Sequence, residues 1–427
     1  MLQVPKMTAH MAELINKRAA MVLLGLCFVA GHAGGLGIVP LVVIAGVIGL
    51  FTHDMSAAKT QLAAVFKTQW ILALCLFLAW ALLSSLWSPY APRGINNALK
   101  LIIGVIFYEA ARRAFMRASG EPRVFPSSGL QRLMIYMPMI AAVVLFIDIA
   151  SGFGLSFAVD PPQSNEHIEK RRADAIMNTS NGLVFLTLMS VPSVIFLLWT
   201  RYRGPIICVA LLALIVLAAV LSGLNVVIGA VIFSIICMLL AAFYPKATLH
   251  LLTGLAMILV GFAPIVSALA MSTSQNLRAA MPFSWEHRMV NWSYVGEQIR
   301  AHPLIGHGFD ASRTFDATFS TRGFDDLAVV SLHPHNAGLQ IWLETGMIGA
   351  VFAVTLLYLL GQEAVKFSTG GRARAMACAG MIAPIILISS VSYGVWQEWW
   401  WACLFLCAAV LHFVPRTKNL TAVSKAE

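Results

Sequence analysis

The chain has 427 residues, of which 59% are hydrophobic and only 11% charged, with a formal net charge of +10. Soluble domains carry about 25% charged residues, so a water-soluble globular protein is excluded and no nucleic-acid partner is expected. Mean hydropathy is +0.80, and apolar runs of roughly 17 to 25 residues recur along the whole length, enough to cross about 30 Å of hydrocarbon as helix. The ten-residue alternation of an outer-membrane barrel is missing, so the expected fold is an all-α polytopic membrane protein.

In chain order, apolarity predicts about twelve transmembrane helices, at 18–33, 36–52, 70–87, 94–112, 132–152, 178–199, 204–221, 223–243, 248–271, 336–361, 374–391 and 397–414. The first run follows Lys17-Arg18 without a small-residue cleavage site and leads straight into a second span, so it reads as a retained helix. With both termini cytoplasmic, 19 of the 29 Lys and Arg fall inside, among them Lys6, Lys59, Lys67, Arg112, Arg113, Arg117, Arg123, Arg132, Arg201, Arg372, Arg374, Lys418 and Lys425. That asymmetry follows the positive-inside rule. The chain thus divides into residues 1–271, carrying nine spans with a periplasmic loop at about 153–177; residues 272–335, a large periplasmic loop with amphipathic helices; and residues 336–427, three spans and a cytoplasmic tail.

The seven cysteines all fall within predicted spans and read as small apolar core residues. No Walker sequence, dinucleotide fingerprint or acidic metal cluster appears. Any chemistry is expected to run without cofactor or metal, on a substrate activated beforehand.

The 153–177 loop carries Asp160, Glu166, His167, Glu169, Lys170, Arg171, Arg172 and Asp174, and then Asn178-Thr179-Ser180-Asn181 opens the sixth span. Most of these side chains read as a solvated loop ending in an Asn or Thr helix cap. Arg171 and Arg172 lie just outside a span, where a guanidinium reaches a phosphate at headgroup depth and binds it bidentately.

The large loop holds Arg278, Arg288, Arg300, Arg313 and Arg322. Five arginines outside break the charge bias, and an anionic ligand explains them better than topology does. Within the loop, Ser284 to Arg300 predicts an interfacial helix, with Trp285, Met289, Trp292, Val295 and Ile299 at helical spacing and Ser284 as N-cap before Glu286. Two readings of Arg288 stay open: a snorkelling anchor, or a clamp on a substrate phosphate. Pro303-Leu304-Ile305-Gly306-His307-Gly308 predicts a tight turn, with His302 and His307 structural.

His335-Asn336 falls where the loop re-enters the membrane and is followed, after nine residues, by Gly346-Met347-Ile348-Gly349. A lone histidine at a helix start is usually a cap or a core residue. A histidine near its ordinary pKa of about 6.5 can also take a proton from a sugar hydroxyl at neutral pH. Asn336 would orient either the imidazole or the acceptor, and the glycines would allow close helix approach within the bundle. His333 is expected on a different face of the loop.

Arg288, Trp292, Pro303, Gly306, Gly308 and His335-Asn336-x9-Gly346, with Arg172 nine residues before Asn181, resemble the core of the O-antigen ligase and polymerase superfamily. The His-Asn-x9-Gly-x-x-Gly pattern is most similar to the ligases. One departure stands out: where many relatives carry Ser-Arg, this chain has Ser222-Gly223-Leu224-Asn225, so a phosphate contact is absent there or comes from elsewhere.

The resemblance implies an architecture like the type C glycosyltransferases and a site facing the periplasm of a Gram-negative inner membrane. It implies an undecaprenyl-pyrophosphate-linked O-antigen as donor and a sugar hydroxyl of lipid A-core as acceptor. Arg288 and Arg172, supported by Arg171, would hold the pyrophosphate, with Asn336 and Asn181 among the substrate contacts. His335 would deprotonate the acceptor, and direct displacement would invert the anomeric centre. An O-antigen polymerase or a protein O-oligosaccharyltransferase would use the same donor; a transporter with twelve spans is the reading from another class.

Overall fold

The computed structural model describes residues 9–51, 68–119, 129–159, 161, 165–199 and 203–416. The expected charges at Lys6, Lys59, Lys67, Arg123, Asp160, Arg201, Lys418 and Lys425 lie outside them. The described residues of the first half form helices: α1 (Ala9–Ala30), α2 (Gly35–Phe51), α3 (Gln69–Ser84), α4 (Ala91–Ser119), α5 (Gly129–Ala150), the short α6 (Gly154–Val159) and α7 (Asn165–Trp199). Then follow α8 (Gly204–Leu221), α9 (Asn225–Phe243), α10 (Pro245–Gly261), α11 (Ala263–Ser272), α12 (Gln275–Ala280) and α13 (Phe283–Ala301). The chain closes with β1 (Thr318–Thr321), β2 (Phe324–Ala328), α14 (Ala337–Ser368), α15 (Arg372–Val391) and α16 (Glu398–Leu411).

Each expected span coincides with helix, and the chain is a polytopic membrane protein of mostly α structure. Among the described residues, eight helices are long and apolar enough to cross a membrane alone, and nine if the bent pair α10 and α11 counts as one span. The expected 248–271 span is therefore not one straight helix: it breaks at Phe262, bent by 62°. The carbonyl of Val260, exposed by that bend, accepts the indole N–H of Trp342 at 2.9 Å. α2 and α16 are shorter apolar helices.

Three expectations need correction. The Asn178–Asn181 tetrapeptide does not open a helix, because α7 already begins at Asn165; the Thr179 hydroxyl bonds back to the Ala175 carbonyl at 2.7 Å inside it. The 153–177 loop is consequently largely helical. Ser284 is not a cap either, since α13 starts at Phe283 after Pro282.

The long loop also contains a β-hairpin, a departure from the all-α expectation. β1 and β2 pair antiparallel around Arg322 and Gly323, both at positive φ (52° and 81°). Two left-handed residues match the turns that suit a tight hairpin's twist.

α14 is the element on which the rest of the loop is built. Gly346 sits inside it at φ 65°, ψ −166°, splitting it into two helical pieces. Backbone groups freed by such a break must find partners within the protein, because hydrocarbon offers none. They do. The carbonyls of Leu343 and Glu344 accept the N–H groups of His307 (2.8 Å) and Gly308 (2.9 Å), and that of Thr345 accepts the Trp80 indole (2.9 Å). Beyond the break, Met347 N–H donates to the Pro303 carbonyl at 2.9 Å and Ile348 N–H to that of Leu304 at 3.3 Å.

The Pro303–Gly308 turn is thus threaded into the break, with Gly306 and Gly308 at φ 69° and 96°. A methyl on Gly346 would run into the Leu304 carbonyl, and one on Gly306 would lie 2.6 Å from the Glu344 carbonyl carbon. Gly346 therefore admits a loop between two helix halves, not the close helix approach expected of it.

Candidate active site

α13 orders the segment that carries the histidines. Its Asn291 amide donates to the Val329 carbonyl and its Trp292 indole to the Pro334 carbonyl, both at 2.8 Å. Trp292, Val295 and Ile299 are buried as their spacing predicts, packed with Val329, Val330, Leu339 and Leu343. Pro334 is in this way pinned immediately before His335.

His335 adopts a left-handed backbone at φ 56°, uncommon for a side chain larger than glycine's. Its N–H donates to Nδ1 of His333 at 3.2 Å, and the two rings meet edge to face with centroids 4.4 Å apart. His333 is thus beside His335 and not on another face. It is buried, which pushes its pKa down to about 3 with further help from His335 and Arg313, so it stays neutral and supports the turn.

The imidazole of His335 points at the end of α15, where its Nδ1 lies 2.6 Å from the Ser392 carbonyl. A carbonyl only accepts, so Nδ1 carries the proton and the lone pair is left on Nε2. Burial lowers the His335 pKa from its ordinary value; the bond to Ser392 opposes that shift, while Arg288 and His287 add to it. The ring is neutral at pH 7 with Nε2 ready to accept a proton.

Arg288, one helical turn from Trp292 on α13, reaches the same place. Its Nε donates to the Val391 carbonyl at 3.0 Å, its Nη1 to the Ser284 carbonyl at 2.8 Å, and its guanidinium lies 5.6 Å from the Trp285 ring centre. Consecutive carbonyls, Val391 and Ser392, therefore hold the arginine and the histidine. Both sit at the negative end of the α15 dipole, which favours the Arg288 cation. Among the described residues no carboxylate pairs with Arg288, so its charge is not cancelled there.

The other loop arginines are accounted for differently. Arg278 donates to the Ala270 and Met271 carbonyls at 2.6 and 3.2 Å and caps α11. Arg322 lies 2.8 Å from the Glu286 carboxylate, Arg313 2.9 Å from that of Asp310, and exposed Arg300 contacts the Met271 sulfur. Five arginines on the long loop do not therefore mean five ligand contacts.

Of the remaining expected residues, Asn336 is the N-cap of α14, its Oδ1 accepting the Leu339 N–H at 2.9 Å. Its oxygen is committed to the helix and does not orient the imidazole. Arg171 is half-buried and Arg172 exposed on the first turns of α7, and Asn181 is buried within that helix. α7 reaches the site's end of the bundle indirectly: Asn178 packs on Gly34, Gly35 on Trp399, and Trp399 donates to Gln397 beside His333. Among the described residues, no contact joins Arg172 or Asn181 to His335 or Arg288.

Sequence reasoning missed what fixes the Ser392 carbonyl. Gln340 accepts the Val395 N–H at 2.8 Å, and buried Glu344 accepts the Trp396 indole at 2.7 Å, so α14 clamps the 392–397 segment. Glu344 also accepts the Asp310 N–H (2.7 Å), the Gln340 amide (3.1 Å) and the Ser312 hydroxyl. A carboxylate in a span was legible as unusual; its partners were not.

Comparison with known proteins converges on the same segment. The family model for O-antigen ligase matches residues 185–354, which include Arg288, His335 and Asn336. A Rickettsia prowazekii protein named "Putative polysaccharide ligase" is 25% identical over 334 residues, covering 76% of each chain. Its Rickettsia typhi counterpart is 26% identical over 334 residues with the same coverage, and one from Rickettsia felis is 28% identical over 226 residues, 51% of this chain and 54% of its own. Over residues 185–354 the chain is thus similar to the O-antigen ligase family, and over about three quarters of its length to the first two of these Rickettsia proteins.

Proposed function

We propose that the protein is a metal-independent, inverting glycosyltransferase acting as an O-antigen ligase at the periplasmic face of the inner membrane. It moves a glycan from undecaprenyl pyrophosphate to a sugar hydroxyl of lipid A-core. The observation that carries this reading is the pairing of His335 and Arg288 on the Ser392 and Val391 carbonyls. Among the described residues, one group is a neutral imidazole whose second nitrogen has no partner and the other a fixed cation with no carboxylate partner.

The acceptor hydroxyl gives its proton to His335 Nε2 as its oxygen attacks the anomeric carbon from the face opposite the leaving group. The bond from that carbon to the pyrophosphate oxygen breaks, and the electron pair leaves with the lipid pyrophosphate. Arg288 stabilises the charge that develops there; a donor of this kind is worth about 10²- to 10³-fold in rate. Arg171 and Arg172, at the same end of the bundle, meet the distal phosphate when the lipid is seated. Asn181 lines the approach on α7, and Asn336 acts through the turn it caps.

The test uses purified protein in nanodiscs with the lipid-linked donor and either lipid A-core or a second lipid-linked glycan as acceptor. Transfer to lipid A-core, unchanged by EDTA, is the expected result. Transfer only to the second lipid-linked glycan would make the protein a polymerase, and loss in EDTA restored by magnesium would overturn the metal-free chemistry.

A further inference from the structure

Asp310 gathers two arginines from distant parts of the chain. Its Oδ1 accepts Nε of Arg313 at 2.9 Å; its Oδ2 lies 3.2 Å from Nε of Arg93 and accepts the Asn97 amide at 2.8 Å. Asp310 is itself fixed, at φ 63° with its N–H bonded to Glu344, and Gly94 packs against the Phe309 carbonyl. The carboxylate is mostly covered, at 11% exposure, whereas the Arg93 and Arg313 side chains are 44% and 30% exposed.

Among the described residues each guanidinium is held through Nε, which leaves the terminal nitrogens of each available. One carboxylate cancels one of the two charges, and a net positive charge is left in a preorganised double fork. Such forks suit the oxygens of a phosphate, which they bind bidentately. A surface ion pair placed only for stability contributes little and needs neither a second arginine nor a left-handed aspartate.

The cluster lies at the far end of the 392–397 segment from Arg288. Val391 and Ser392 hold Arg288 and His335, while Trp396, further along, shares Glu344 with Asp310 and packs on Phe309 with ring centres 4.8 Å apart. In an in-line displacement the acceptor enters from the side opposite the leaving pyrophosphate. With Arg288 on the pyrophosphate, the acceptor extends past His335 and His333 toward Arg313, whose charge is felt at His333.

We propose that Arg93 and Arg313, splayed from Asp310, form a second anion site that binds a phosphate monoester on the acceptor glycolipid. This rests on the glycosyl-transfer reading above. The test is a cycle between protein and ligand in nanodiscs: wild type, Arg93→Gln with Arg313→Gln, and Arg93→Lys with Arg313→Lys, each with lipid A-core intact or chemically dephosphorylated. The glutamine pair should raise the acceptor KM about tenfold on intact acceptor, and dephosphorylation should raise it similarly for wild type, with no further loss when both are combined. The lysine pair, which keeps the charge, should recover part of the loss. Additive losses, a rise in donor KM in place of acceptor KM, or a glutamine pair that matches wild type would overturn the site while leaving the transferase reading intact. Failure of wild type to transfer to either acceptor would instead sink that reading itself.

Discussion

Arg288 and Arg322 stand on the same loop with the same charge, and their surroundings could hardly differ more. Arg322 ends the hairpin turn, exposed, with its Nε 2.8 Å from Glu286 and its Nη2 on backbone carbonyls of Ala279 and Met281. Arg288 is half-buried and, among the described residues, hydrogen-bonded to carbonyls alone. A carboxylate serving one guanidinium alone cancels its charge; a carbonyl fixes the group in place and leaves the charge for a ligand. Partner type, more than the number of arginines, separates a binding residue from a structural one.

The comparison can be broken first at His335, beside Arg288. His335→Ala removes the proposed base, and general-base loss typically costs about 10²- to 10⁴-fold in rate; single-turnover transfer should fall by that order while donor binding persists. A binding defect that accounts for the whole loss would reduce the histidine to a positioning group.

Arg288→Lys comes next, with an expected loss of about 10²- to 10³-fold in kcat, since an ammonium cannot reproduce both carbonyl bonds and still face a phosphate. Turnover near wild type in Arg288→Gln would return Arg288 to a membrane anchor.

Gly346→Ala tests the scaffold both arginines share. Its backbone, at φ 65° and ψ −166°, lies in a region essentially reserved for glycine and costs about 1 to 3 kcal/mol for a residue with a β-carbon, and the methyl collides with Leu304. The expected outcome is a lower Tm, with kcat falling because the Pro303–Gly308 turn is displaced. An unchanged Tm would mean that the break is not held by the threaded turn.

The smallest effect on rate is expected at Arg322→Gln, which takes an exposed guanidinium away from the buried Glu286 carboxylate; it should lower stability, because a buried carboxylate loses its partner, and leave the rate within about twofold. A loss as large as that of Arg288→Lys would erase the distinction between the two arginines.

Much of the fold was legible because hydrocarbon imposes a length and a composition on every span. The α13 stripe of Trp292, Val295 and Ile299 was legible for the same reason of periodicity. The break at Gly346 was not, since a glycine in an apolar run reads equally as a small packing residue. Of the site, His335 and Arg288 could be named, because a charged or titratable side chain at a membrane face is chemically conspicuous. What orients them could not, because Val391 and Ser392 act through main-chain carbonyls that every residue possesses. Thr179 misled for a related reason: a hydroxyl in a polar run signals a helix cap, and only its 2.7 Å bond to the Ala175 carbonyl shows that it lies inside a helix already begun.

The most direct test of the central claim, that Arg288 and a neutral His335 work side by side on one helix end, is the pH dependence of single-turnover transfer in wild type and in Arg288→Gln. Burial and the neighbouring guanidinium both lower the His335 pKa, so the wild-type rate should hold as pH falls through about 6.5, the ordinary histidine value, and decline only below it. Removing the positive charge should let the imidazole protonate more easily and move that acid limb to higher pH in the residual activity of Arg288→Gln. A limb that stays where it was, or no acid limb in either protein, would contradict the account.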